Sequence, residues 1–331
     1  MTMSATPTSA EPTHAQANDA VVVVDLGGTQ IRTAIFDSAG AMLSRRSVPT
    51  PRLAGQAEVI GTVITQIRQS LAEHDHPVRS VAISALGPVD PGAGVIRSAP
   101  TLHDFDNVPL AEQLEYALHL PVQVYNDANA AAVAEWRLGA GRGTHNFCYV
   151  TVSTGIGCGT IANGQLLAGH SGYAGELGRL RVPGPHGNLV KLEEISSGTA
   201  IAATARDALR GPVTSSLRSL PDPERISAAD VSAAARADDP LAQQILHTAA
   251  DTLGTQLANL IRITDPEVVA IGGGVTLAGD HFWTPLRNAV AASLAHDAIP
   301  MPRLCGNDLH GDAGLHGAAL ALLDHSPFRQ P

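Results

Sequence analysis

Four consecutive valines, Val21 to Val24, open the apolar pattern of the chain, and the run ends at once in Asp25. A short unbroken apolar stretch bounded by a charge predicts a strand buried on both faces. Gly27 and Gly28 predict a tight turn into a second strand over Ile31–Phe36, and a turn at Asp37–Gly40 leads to a third over Ala41–Val48. Val59, Ile60, Val63, Ile64, Ile67 and Leu71 fall close to helical spacing and predict a helix from Gln56 to Glu73. Strands are expected at Val81–Ser84 and Val122–Tyr125, with a helix over Leu110–Leu118 between them. The first third of the chain therefore reads as α/β.

The pattern then partly repeats. An alanine-rich helix is expected over Asp127–Leu138, followed by strands at Phe147–Ser153, Cys158–Ala162 and Gln165–Leu167. From Thr199 to about Ile263 the chain reads as mostly helical. A strand over Val268–Ile271 stops at Gly272–Gly274, and a last helix covers Ala313–Leu323. Each half holds a strand, a turn of glycine and threonine, and another strand: Val24 to Ile35, then Val150 to Ile161. This internal echo predicts two related lobes facing each other.

Composition narrows the picture. A chain of 331 residues suits two lobes better than one ordinary core. Apolar residues make up 44%, yet no run approaches the roughly 18 that a membrane helix needs, so a soluble protein with no membrane partner is expected. A net charge of −10 without a Lys/Arg cluster argues against a nucleic-acid partner. Three scattered cysteines, Cys148, Cys158 and Cys305, read as reduced thiols of a cytoplasmic protein rather than a disulfide or metal set. Residues 1–19 lack the basic and apolar regions of a secretory signal and read as a disordered tail, too short for a helix-turn-helix domain. From Asp324 onward the chain reads as a short frayed end.

Four segments carry candidate chemistry. In Asp25-Leu26-Gly27-Gly28-Thr29, paired glycines let backbone N–H groups approach a phosphate and Thr29 adds a hydroxyl. Asp25 can hold Mg²⁺ through water, because Mg²⁺ takes oxygen ligands and keeps its hydration. A plain hairpin turn explains this loop equally well. Ser153-Thr154-Gly155-Ile156-Gly157-Cys158-Gly159 is a second candidate cradle, and two such loops are harder to dismiss than one. Val268–Ile271 running into Gly272, Gly273 and Gly274 offers a flat backbone platform for adenosine; its contiguous glycines do not fit a dinucleotide fingerprint. In Tyr125-Asn126-Asp127, at a strand-to-helix junction, either Asx is an ordinary N-cap candidate. Asp127 is also a carboxylate that can accept a proton from a hydroxyl.

Taken together and in order, these segments resemble the ROK kinases, the bacterial sugar kinase and repressor family within the actin and hexokinase superfamily. The resemblance also covers Gly87-Pro88-Val89-Asp90, Gly175-Glu176-Leu177-Gly178, Leu192-Glu193 with Ser197-Gly198, and Asp312-Ala313-Gly314 leading into Gly317-Ala318. It runs from about Val21 to Leu323. It implies a two-lobed actin-like ATPase fold, ribonuclease H-like in its core, with a nucleotide and sugar cleft between the lobes. Residues 20–125 plus 311–325 are expected to form one lobe and 126–310 the other. The implied activity is ATP-dependent phosphorylation of a hexose 6-hydroxyl in a homodimer or homotetramer, glucose being the default substrate. Fructose, mannose, an N-acetylhexosamine, or a non-catalytic sugar-binding regulator are the alternatives.

The resemblance also assigns roles. Asp127 is the implied base. Gly87, Thr101, Asn126, Glu176, Arg179 and Glu193 would face the sugar. Gly27, Gly28, Thr29, Thr154 and Gly155 would face the phosphates, Gly273, Gly274 and Val275 the adenosine, and Asp25 the hydrated Mg²⁺. Two departures stand out. The family's histidine and three cysteines bind a structural zinc, but here Arg179 takes the histidine position and Leu180–Lys191 contains no cysteine, so no zinc is expected. His170 and His186 nearby read as surface residues. Thr101 stands where the family usually has asparagine.

Overall fold

The computed structural model describes residues 20–75, 77–185 and 187–323. The tail expected over residues 1–19, His186 and the end from Asp324 lie outside the described residues. In the first half the elements are β1 (Ala20–Leu26), β2 (Gln30–Asp37), β3 (Met42–Pro49), α1 (Gln56–Ala72), β4 (Val78–Ala85), β5 (Val89–Asp90), β6 (Val95–Ser98), β7 (Asp106–Val108), α2 (Leu110–Leu118) and β8 (Val122–Asn126). Then follow α3 (Asp127–Leu138), β9 (Phe147–Val152), β10 (Ile156–Ala162), β11 (Gln165–Leu166), β12 (Arg181–Pro183), β13 (Leu189–Lys191), α4 (Glu193–Ser196) and α5 (Gly198–Leu209). The chain finishes with α6 (Ala228–Arg236), α7 (Pro240–Thr264), β14 (Val268–Gly272), α8 (Asp280–Ala295), β15 (Arg303–Gly306) and α9 (Ala313–Leu323).

Two five-stranded sheets share one plan. The first runs β3-β2-β1-β4-β8 and the second β11-β10-β9-β14-β15. In each, the central strand pairs antiparallel with the next strand in sequence and parallel with the strand on its other side. The echo between the two halves is thus a repeated topology. β1 is buried along its whole length, with Val22 and Val24 in a core shared with α1 and α2 and Val21 and Val23 in a core shared with α9. That double burial is why its sequence runs apolar without alternation.

The alanine content of α3 has a steric cause. This helix lies between β10 and α9. A Cβ on Gly317 of α9 would stand 1.8 Å from the carbonyl oxygen of Ala130, and one on Gly159 of β10 would stand 2.5 Å from Ala132 Cβ. Small residues on all three elements let the backbones meet, which fixes the start of α3 against both sheets.

Several elements differ from the sequence expectation. The region from Thr199 to Ile263 is three helices, α5 to α7, separated by irregular chain and short 3₁₀ turns. The Gly87–Asp90 loop contains β5, which joins β6 and β7 in a small sheet. Helix α8 and strand β15 carry no clear signal in the chain. Pro285 sits within α8 and reads locally as a breaker, yet the helix buries Phe282, Leu286, Val290 and Leu294 against the core. No described helix is long and apolar enough to cross a membrane.

Candidate active site

The two sheets bring the carboxyl ends of their parallel strands to one cleft of about 1030 Å³. Register makes this explicit. Asp25 of β1 pairs with Ser84 of β4, and Ala85 of β4 pairs with Asn126 of β8. On the facing sheet Gly272 of β14 pairs with Thr151 of β9. The turns that follow these strand ends, Gly27–Thr29 and Ser153–Gly155, both line the cleft. Each is tied down from behind. Thr50 donates its hydroxyl to the Gly27 carbonyl at 2.7 Å, and Thr199 donates to the Thr154 carbonyl at 2.7 Å.

At the β8–α3 junction Asn126 is the N-cap, its Oδ1 accepting from the Asn129 N–H at 3.0 Å while its Nδ2 donates to the Gly87 carbonyl at 2.8 Å. That division of labour leaves Asp127, the first helical residue, free to face the cleft. Its Oδ1 accepts the neighbouring Ala128 N–H at 2.8 Å. Loss of water in the cleft, reinforced by the charges of Asp25 and Glu176, pushes the Asp127 carboxyl up to about 7. A carboxylate so poised can take a proton near neutral pH.

Asp25 lies at the floor. It accepts from Arg32 at 2.8 Å and from the Ser84 hydroxyl at 3.1 Å. Burial raises its carboxyl above the usual range, and Arg32 and Ser84 only partly counter this. Gly314, in the first turn of α9, is required beneath it, since a Cβ there would come within 3.0 Å of Asp25 Oδ1. Asp25 and Asp127 place carboxylate oxygens on a roomy cleft, a donor chemistry that fits a hydrated divalent cation. Among the described residues no group of three or more His, Cys, Asp or Glu side chains could hold a metal directly.

The opposite wall carries two ion pairs. Arg179 Nε meets Glu176 Oε2 at 2.6 Å, and Lys191 Nζ stands 3.6 Å from Glu193 Oε1. Burial still lifts the Glu176 carboxyl above its ordinary value, with the Arg179 guanidinium opposing and the Glu193 charge adding. Gly155 makes room for Glu193, whose Oε2 would lie 3.3 Å from a Cβ at that position. Thr101 lines the cleft beside the first glycine turn, its hydroxyl 3.2 Å from the place of a Cβ on Gly28.

Of the residues singled out from sequence, Asp25, Gly27, Gly28, Thr29, Gly87, Thr101, Asn126, Asp127, Thr154, Gly155, Glu176, Arg179, Glu193, Gly273 and Gly274 all line this one cleft. Val275 does not. Its side chain is buried in the helical core, and Thr276 and Leu277 line the cleft in its place.

Sequence reasoning missed Arg32, Lys191 and the Gly306–Gly311 stretch, of which Gly306, Asn307, His310 and Gly311 line the cleft. It also missed Glu135 on α3. This fully buried carboxylate accepts the backbone N–H groups of Ala140 and Asp308 at 3.1 Å each and of Leu309 at 2.8 Å. It thereby staples the Gly306–Gly311 stretch to the helix that begins with Asp127. The available signal was an acidic residue amid the small and apolar face of α3.

Comparison with known proteins agrees with this geometry. Residues 21–325 match the ROK family. The chain is 32% identical over 306 residues to a glucokinase of Thermotoga maritima, covering 90% of this chain and 96% of that one. It is 32% identical over 309 residues to an N-acetylmannosamine kinase of Shigella flexneri, covering 91% and 97%. The crystal structure of a ROK family glucokinase from Streptomyces griseus in complex with glucose and AMPPNP superposes with a TM-score of 0.79 at 33% identity, covering 91% of this chain and 98% of that one.

Proposed function

The chain belongs to the ROK family, and from that premise we propose that this sugar kinase moves the γ-phosphoryl group of ATP to the 6-hydroxyl of a hexose, with glucose the favoured acceptor. The observation that carries the reading is Asp127, a buried carboxylate pushed up to about 7 that lines the same cleft as the Gly27–Thr29 and Ser153–Gly155 turns. The glucose- and AMPPNP-bound relative supports the pairing of sugar and nucleotide.

In this reading Asp127 accepts the 6-hydroxyl proton as the phosphoryl group moves. Asn126 is held on both sides by Gly87 and Asn129, so its remaining N–H and lone pair meet the sugar without further ordering. Glu176, aligned by Arg179, and Glu193, near Lys191, accept from other hydroxyls. A buried polyol is bound by such fixed, directional partners. Thr29, Thr154 and Gly155 hold the phosphates, and Gly273 and Gly274 face the adenosine. Asp25 would hold a hydrated Mg²⁺, which would offset charge on the phosphates. Residues 20–125 with the 311–325 segment form one lobe and 126–310 the other, and their closure excludes water from the transfer.

The N-acetylmannosamine kinase relative keeps a second acceptor class in view, because it matches a similar share of this chain as the Thermotoga glucokinase, at the same 32% identity. A coupled ADP-release assay over a panel of hexoses and N-acetylhexosamines tests both. Release is expected with glucose. Release only with an N-acetylhexosamine would move the assignment to that class, and none with any sugar would overturn the kinase reading.

A further inference from the structure

Among the described residues, three arginine and lysine side chains line the cleft: Arg32, Arg179 and Lys191. Arg179 and Lys191 stand on the wall opposite Asp25, where Glu176 and Glu193 engage them. Arg32 lies apart from them, on β2 beside the Gly27–Thr29 turn, and takes no part in the chemistry above. We propose, on the kinase reading of this same cleft, that Arg32 is a further catalytic residue: its guanidinium donates to the terminal phosphates of ATP and stabilises the charge that gathers there as the γ-phosphoryl group leaves.

Geometry comes first. The antiparallel register of β1 and β2 sets Arg32 directly across from Asp25, on the two strands that the Gly27–Thr29 turn joins. Residues paired in this way leave the sheet on the same face, and here both reach the cleft. Arg32 Nη1 donates to Asp25 Oδ2 at 2.8 Å, and among the described residues the guanidinium meets no other acceptor. A guanidinium carries five N–H donors in a planar fork, so most of them are left for a ligand. The Arg32 side chain is 28% exposed, which keeps those donors accessible from the cleft. Asp25 is itself held by the Ser84 hydroxyl at 3.1 Å, so the ion pair fixes the direction of the fork without using it up. Such a group suits phosphate oxygens, which arginine meets two at a time. Each Asp25 oxygen accepts one of these two bonds and keeps a lone pair, so the same carboxylate can also hold a metal-bound water.

Charge supplies the need. Asp25, Asp127, Glu176, Glu193 and Glu194 all line the cleft, and a triphosphate entering it meets repulsion that only cations offset. With Arg179 and Lys191 engaged on the opposite wall, Arg32 is the cation that this chain sets beside the first glycine turn. During transfer the bond between the γ-phosphorus and the β–γ bridging oxygen breaks. A bond from that phosphorus to the sugar O6 forms, and the O6 proton passes to Asp127. The electron pair of the broken bond stays on ADP, so negative charge builds on the oxygens where the two phosphates part. A guanidinium in contact with those oxygens binds the transition state more tightly than the bound substrate, and that difference is what accelerates the step.

Binding to the full chain separates this role from a structural one. Titration calorimetry with Mg²⁺ present compares AMPPNP, which carries the terminal phosphates, with AMP, which lacks them. Arg32→Gln should weaken AMPPNP by roughly tenfold or more and leave AMP unchanged. In the ADP-release assay the same variant should lose kcat by roughly a hundredfold or more while KM for the sugar stays as it was. Arg32→Lys keeps the charge beside Asp25 but not the planar fork; it should recover part of both losses and keep the thermal midpoint of the unaltered chain. AMPPNP affinity unchanged in both variants would overturn the assignment. So would equal weakening of AMP and AMPPNP, the mark of a side chain that merely holds Asp25 and the turn in place. If the unaltered chain binds AMPPNP and Arg32→Gln weakens it as expected, yet no sugar gives ADP release, the kinase reading falls and the phosphate contact stands.

Discussion

The chemistry turns on individual carboxylates whose neighbours set their protonation. Asp127 sits near a pKa of about 7 because burial removes water and the charges of Asp25 and Glu176 oppose ionisation. Its base form therefore grows as pH rises through that value. For the free enzyme, kcat/KM for the sugar should climb with pH to a plateau above the midpoint, and Asp25→Asn should move that midpoint down. The linkage has the opposite sign for folding. Between the unfolded value of about 4 and the folded value of about 7, the native state binds the extra proton, so this residue's contribution to stability declines as pH rises. Asp127→Asn should abolish turnover, by roughly a hundredfold or more, while sugar binding measured by calorimetry persists and the stability slope in that window flattens. Normal turnover in that variant would refute the base assignment. Arg179 belongs to this scale too. Its guanidinium stands 2.6 Å from Glu176, so this cleft-lining carboxylate has an orienting partner.

At the level of elements, α3 does two jobs with one helix. Its first residue faces the cleft, and eight residues later Glu135 grips three backbone N–H groups from two other segments. Hydrogen bonds to a charged group contribute about 1.5–3 kcal/mol each, and a buried donor left unpaired costs a similar amount. Glu135→Gln keeps the shape but replaces one acceptor oxygen with a donor. The Gly306–Gly311 stretch should loosen, raising KM for ATP roughly three- to tenfold, with KM for sugar little changed and the thermal midpoint lowered. An equal rise in both KM values would assign Glu135 to general stability instead. The alanines and glycines of α3, β10 and α9 are legible in the sequence as small residues. Their reason is not, because it lies in backbone approaches such as that of Gly317 to Ala130, made between residues distant in the chain.

For the whole molecule, the β12–β13 hairpin follows the Glu176–Arg179 pair and ends beside Glu193. It closes on its own backbone bonds, with Gly184 N–H donating to Asn188 at 2.7 Å and Leu192 N–H to Leu180 at 2.8 Å, over the buried Val182. A chelator should leave the melting temperature unchanged and elemental analysis should return no zinc; a stoichiometric content would contradict this. The sequence by itself determined the α/β class, the repeated strand-turn-strand echo, and those cleft residues that sit in the glycine turns and at the start of α3, because strand ends, glycine turns and helix starts are local features written in adjacent residues. Tertiary structure alone decided the rest. Arg32 on Asp25, Lys191 beside Glu193 and Glu135 beneath the Gly306–Gly311 stretch became partners only when the chain folded. Val275 turned into the core, and α8 formed around Pro285 because packing against α7 outweighs a local breaker. Charge pairing, burial and cavity shape are sums over neighbours in space, and no window along the chain contains them.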